Sequence, residues 1–154
     1  MNKPFPNTQN ILKDIETAIS QPKSLNSTLL RVCEILESGV SHYDWVGFYL
    51  VEPGDQLVLG SHVGASTEHT KIAFGAGVCG QVATSETRMI IQNVALEENY
   101  LSCGSNVQSE VVFPVMKAGK MIAELDIDSH ALSPFTQDDI DLLEAICLKL
   151  EILF

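Results

Sequence analysis

The chain has 154 residues, 45% hydrophobic and 19% charged, which suits one soluble domain with a buried core and leaves no apolar run long enough for a membrane span. Nine basic against 20 acidic side chains give a net charge of −11, a surface that repels phosphate backbones and anionic lipid, so neither nucleic acid nor a membrane is an expected partner. Four cysteines are too few for a secreted disulfide scaffold, and a cytoplasmic protein with reduced thiols is expected.

Residues 7–20 place Ile11, Ile15, Ala18 and Ile19 on one helical face behind an Asn/Thr cap. Residues 24–38 repeat the pattern with Leu25, Leu29, Val32 and Leu36, and Gly39 is the expected stop. "WVGFYLV" (45–51) and "QLVLGSHVG" (56–64) read as a hairpin about the turn "EPGD". "TKIAF" is a further short strand, "GVCGQVATS" a short helix and "MIIQNV" a strand. The loop "ALEENYLSCGSNVQ" then leads to "SEVVFPVMK" and "KMIAELDID", two strands joined at "AGK". Thr136 caps a closing helix with Asp139 three residues on, and Ile140, Leu143, Cys147 and Leu150 form its inward stripe. The expected class is α+β, a central antiparallel sheet flanked by N- and C-terminal helices.

Alternation across a strand sorts the faces. Val46, Phe48 and Leu50 make one apolar face of the first strand, and Trp45, Gly47 and Tyr49 the other. That second face reads either as ordinary core or as two aromatics walling a pocket across a glycine gap. In the last strand Ala123, Leu125 and Ile127 oppose Glu124, Asp126 and Asp128. A solvated sheet face accounts for such a row, but aspartate is a poor strand former. With Glu110 at the start of the neighbouring strand, the carboxylates would suit a cationic ligand, and crowding would raise the pKa of one of them.

Cys33 and Cys147 fall on apolar helix faces and read as small core residues. Cys79 lies in the first turn of its helix, where the macrodipole favours thiolate, although a small packing residue fits the position equally well. Cys103 sits in a polar loop with no apolar periodicity to explain it, and is the better candidate nucleophile. The four histidines show no metal-ligand spacing, and Gly75-x-Gly77 lacks the third glycine of a dinucleotide fingerprint, so neither a metal nor a bound cofactor is expected.

The order of elements, with "GAGVCGQVATSE", "SEVVFPVMKAGKMIAELDIDS" and "FTQDDIDLLEAI", resembles a GAF domain. The resemblance implies a single domain over 1–154, with leading helices in 1–40, sheet and pocket in 44–129 and the closing helix in 136–154. In particulars the chain is similar to the free methionine-(R)-sulfoxide reductases, an enzymatic branch of that family. "DWVGFYLVE" looks like the branch's signature strand, and Trp45 and Tyr49 match the aromatics that hold the substrate's methyl end. Cys79 of "GVCG" matches one family cysteine and Cys103 the catalytic one. Glu110 matches the acid of "SE", and Asp126 and Asp128 those of "LDID".

The resemblance implies reduction of free L-methionine (R)-sulfoxide through a sulfenic acid on Cys103 and then a disulfide, with Cys79, the only matched thiol left, as the second catalytic cysteine that resolves it. A thioredoxin-like external reductant and a homodimer are implied with it. Three departures stand out: His69 occupies the place of the family's usual third cysteine, ten residues before "GVCG", and "GSH" and "NY" replace "GPF" and "GH". A non-catalytic sensor using the same pocket, or a thiol switch on Cys79 and Cys103, are the alternative readings.

Overall fold

The computed structural model describes residues 5–21, 23–102 and 104–154. Helix α1 (Thr8–Ser20) starts where the Asn7 side chain accepts the Gln9 N–H at 3.0 Å, and α2 (Leu25–Gly39) starts at a reciprocal Ser24/Ser27 cap. Gly39 proves to be the last helical residue rather than a left-handed stop. The helix ends because Val40 turns extended, and the missing Cβ of Gly39 leaves room for Ile11 of α1, whose Cδ1 would lie 3.3 Å from it.

The strands are β1 (Trp45–Glu52), β2 (Gln56–Val63), β3 (Lys71–Ala73), β4 (Met89–Ile91), β5 (Ser109–Lys117) and β6 (Lys120–Ser129), with α3 (Gly77–Ser85) between β3 and β4. They form one antiparallel sheet in the order β3-β2-β1-β6-β5-β4. The expected strand "MIIQNV" is shorter than its pattern suggested, because Asn93 turns its side chain onto the Ala95 N–H and caps a single turn at Val94–Leu96. Ala118 and Gly119 both take positive φ in the β5–β6 turn, the twist that suits a two-residue hairpin.

One face of the sheet receives α1, α2 and the closing helix α4 (Gln137–Leu150). Val46, Phe48, Phe113, Leu125 and Ile127 pack there on Ile15, Leu29, Leu36, Leu143 and Ile146 in a single apolar core. Cys33 and Cys147 belong to this core, and burial pushes both thiols up to about 12, as befits packing residues. Asp139 does more than cap α4. Thr136 N–H donates to it at 2.8 Å, and His42 Nε2 and the Tyr43 hydroxyl each reach its Oδ1 at 2.7 Å. Burial works to raise this carboxyl, but those hydrogen bonds outweigh it and hold it below the ordinary carboxylate value.

The opposite face is covered by α3, which packs on β5 and β6.

Candidate active site

Antiparallel register brings the singled-out residues together. Along β6, Asp128, Asp126 and Glu124 stand directly opposite Trp45, Gly47 and Tyr49 of β1, and on the other flank Asp128 faces Glu110 of β5. The two rows therefore share the face under α3, and Cys79 joins them from the helix. Its Sγ donates to Asp126 Oδ2 at 3.3 Å and lies 3.9 Å from Glu110 Oε1.

This is not a solvated face. Glu110, Glu124, Asp126 and Asp128 are 3%, 0%, 1% and 1% exposed. Both oxygens of Glu124 and of Asp128, and Oδ1 of Asp126, have no hydrogen-bond partner among the described residues, and no ion pair among those residues reaches any of the three. Buried anions without partners are costly and shift toward the neutral form. Asp126 is accordingly raised from 3.8 to about 6 by burial, with hydrogen bonds to Glu110 and Cys79 working against the rise. Glu124 and Asp128 are raised by burial first and by the charge of Asp126 second. Crowding was the expected cause; desolvation is the larger one.

The same carboxylates correct the expectation for Cys79. The start of a helix favours a thiolate, but full burial, followed by Asp126, Glu124 and Glu110 as neighbouring anions, pushes this thiol well above its ordinary value. About half a positive charge at the head of α3 cannot offset those carboxylates in a desolvated site. Cys79 is a protonated donor in this arrangement.

Trp45 and Tyr49 both wall the site, though not with an open gap between them. The indole of Trp45 folds across Gly47: a Cβ on that glycine would lie 2.3 Å from Cη2. Trp45 Nε1 donates to Ala65 O at 3.0 Å, and the ring stacks on His62 with centroids 5.6 Å apart. Tyr49 is fully buried and donates its hydroxyl to the His69 carbonyl at 2.8 Å.

His69, the residue in the unusual position, ties this wall to the neighbouring loop. Its Nε2 bonds the Ser102 carbonyl at 2.9 Å, so Nε2 carries the proton there. Ser102 immediately precedes Cys103, the expected nucleophile, which lies outside the described residues. The sequence reading did not give this role to His69, nor the anchoring role to Asn99. The Asn99 side chain accepts the Gly77 N–H at 2.8 Å, donates to Gly75 O at 2.8 Å, and so pins the loop to the head of α3. Both contacts span more than twenty residues, and no local pattern signals them. Glu124 was visible in the β6 row but was not counted among the site residues.

Leu101 closes the site over Gly77, where a Cβ would meet its Cγ at 2.8 Å. What remains is a cavity of about 10 Å³ lined by Ile72, Gly77, Val78, Cys79, Leu101, Glu110 and Asp126, room for roughly one water-sized sphere. A wider groove of about 350 Å³ lies on the helix side of the sheet around Arg88, Phe113, Glu144 and Leu148. The Arg88–Glu144 pair spans it, and it holds none of the four buried carboxylates.

The GAF domain family model matches residues 22–153. The chain is 35% identical to GAF domain-containing protein A of Dictyostelium discoideum, over 86% of this chain and 82% of that one. It is 30% identical to the free methionine-R-sulfoxide reductase of Escherichia coli (strain K12), over 90% of this chain and 83% of the relative. The X-ray structure of the free methionine-R-sulfoxide reductase from Neisseria meningitidis in complex with its substrate superposes with a TM-score of 0.90 at 31% identity, covering 96% of this chain and 87% of that one.

Proposed function

We propose that this chain, which belongs to the GAF domain family and is similar over most of its length to the family's free methionine-R-sulfoxide reductases, reduces free L-methionine (R)-sulfoxide to methionine. The observation that carries the reading is the row of buried carboxylates Glu124, Asp126 and Asp128, five of whose six oxygens have no hydrogen-bond partner among the described residues, facing Trp45 and Tyr49. A free amino acid offers the ammonium that such a row lacks, and its methyl end suits the indole. Substrate bound in a peptide has no α-ammonium to offer, which accounts for a preference for the free form.

In this mechanism Glu110, Glu124, Asp126 and Asp128 together hold the ammonium, and one of the carboxyls that burial raises donates its proton to the sulfoxide oxygen. Cys103 attacks the sulfoxide sulfur as thiolate. Oxygen passes from sulfur to sulfur, so the substrate leaves as methionine, reduced by two electrons, and Cys103 remains as a sulfenic acid. An incoming thiol then displaces that oxygen as water and forms a disulfide, which a second thiol opens. We place the second step on an external dithiol of the thioredoxin kind. Cys79 can resolve the sulfenic acid only after losing its proton, and burial, reinforced by the carboxylates around it, holds that proton in place. His69 contributes no thiol; it holds the backbone just before Cys103. Because the cavity is closed down by Leu101, Leu101 moves aside to admit the substrate.

Chemistry that depends on reduced thiols fits a cytoplasmic setting, and no helix among the described residues is long and apolar enough to cross a membrane. A homodimer belongs to the same proposal: Leu148 and Ile152, 75% and 76% exposed near the C-terminus, give an apolar surface for it.

The test is methionine release from the free (R)-sulfoxide with a thioredoxin system or with excess dithiol. Activity on the (R) but not the (S) epimer is expected, with at least a ~1,000-fold loss of kcat/KM in Cys103→Ser. No methionine with either reductant overturns the proposal, and full activity in Cys103→Ser overturns the nucleophile.

A further inference from the structure

Cys79, Glu110 and Asp126 come from α3, β5 and β6, yet one ligand atom from each lies within 4.8 Å of the others. The sulfur is 3.3 Å from Asp126 Oδ2 and 3.9 Å from Glu110 Oε1. A tetrahedral zinc ion with bonds of ~2.3 Å to sulfur and ~2.0 Å to oxygen holds those atoms roughly 3.5 Å apart, between the two observed separations. All three side chains line the cavity of about 10 Å³ below Leu101, a space for one ion and not for a larger group. Asp126 lines it while its Oδ1, on a side chain 1% exposed, has no hydrogen-bond partner among the described residues.

From this arrangement we propose that the floor of the pocket is a binding site for a single thiophilic divalent cation of the zinc class, held by Cys79 Sγ, Glu110 and Asp126. Binding displaces the thiol proton: the Cys79 S–H bond is lost, a sulfur–metal bond forms and the proton leaves to solvent, with no change of oxidation state. Thiolate and carboxylates together form a donor set that selects zinc-like ions over magnesium or calcium, which prefer oxygen alone. Asp128 and Glu124 stand close behind and add negative potential that favours a dication. The fourth position faces the Leu101 side, where the substrate enters in the proposed function. On that reading the ion and the substrate ammonium exclude one another, and the metal is a reversible competitive inhibitor.

The binding test does not depend on turnover. In full-length Cys103→Ser, which removes the other candidate thiol of the site, cobalt(II) titration is expected to give one equivalent of tetrahedral d–d absorption with a thiolate-to-cobalt charge-transfer band. Zinc should displace it stoichiometrically. Adding Cys79→Ser should abolish the charge-transfer band. Adding Glu110→Gln instead should keep the band and weaken zinc binding at least ~10-fold, with circular dichroism confirming that each variant is folded. No band at saturating cobalt, or a band that survives Cys79→Ser, overturns the site.

In the active chain, zinc should raise the apparent KM for the sulfoxide at constant kcat, and a chelator should reverse the effect. A fall in kcat at constant KM overturns the competition. A chain that gives the band but no methionine supports the metal site while the proposed function fails.

Discussion

The two faces of the central sheet are built from the same strands and buried to the same depth, yet their contents are opposite. Toward the helices, β6 presents Ala123, Leu125 and Ile127, each fully buried in an apolar core. Toward α3 it presents Glu124, Asp126 and Asp128, buried as completely and without partners for most of their oxygens. Burial on the first face stabilises the fold at about 25 cal/mol per Å² of apolar surface, and burial on the second opposes it. The second face therefore opposes folding, and in the proposed function a bound ammonium offsets that cost.

If the helix-side face is purely structural, Leu125→Ala should cost roughly 2–5 kcal/mol of unfolding free energy, read from denaturant midpoints, and leave the KM for sulfoxide unchanged. A shifted KM would mean that the faces are coupled through the sheet.

The pocket face should respond with the opposite sign. The folded-state value of Asp126 is raised, so its stabilising contribution is full below about 3.8 and is lost as pH rises toward about 6. Glu124 and Asp128, shifted in the same direction, add to the loss as pH rises. Asp139 is shifted the other way, and its contribution disappears as pH falls through its depressed value. Thermal stability should therefore peak in mildly acidic solution and decline toward neutral pH. Asp126→Asn should flatten that decline and raise stability at pH 7 by on the order of 1–3 kcal/mol, while lowering kcat/KM at least ~10-fold. A destabilised Asp126→Asn at pH 7 would break the comparison.

Gly47→Ala tests the aromatic wall. The added methyl would fall 2.3 Å from Trp45 Cη2 and 2.9 Å from His62 Cβ, so the indole must swing away, at a cost of roughly 1–3 kcal/mol. Because Trp45 is the sole tryptophan of the chain, its fluorescence reports the displacement directly, and a raised KM should accompany it. The smallest effect is expected at His69. Losing one hydrogen bond to Ser102 in His69→Ala should cost about 0.5–1.5 kcal/mol, read as a roughly 2- to 13-fold fall in kcat/KM, with partial recovery in His69→Gln through its amide donor. An unchanged rate would show that the loop is held without it.

Much of this organisation was legible along the chain. Alternation in "WVGFYLV" and "AELDIDS" sorted both faces correctly, and the Thr136/Asp139 cap and the core placement of Cys33 and Cys147 followed from helical periodicity. The sequence left Cys79 open between a helix-head thiolate and a small packing residue, because a position in the first turn of a helix says nothing about how deeply the group is buried or which anions a distant strand will bring to it. Whether Trp45, Gly47 and Tyr49 form ordinary core or an open notch was left undecided by the sequence, which does not say which way an indole folds.

What the sequence determined by itself was therefore local: which residues alternate, where helices begin, which side chains share a face. Those properties follow from backbone period and capping, which act over a few residues. Only the tertiary structure decided that the acidic row is dry, that it faces Trp45 and Tyr49, that Cys79 is protonated against Asp126, and that His69 holds the backbone beside Cys103. Desolvation and charge proximity depend on what the rest of the chain packs over a group, and that information is spread across residues 45 to 128.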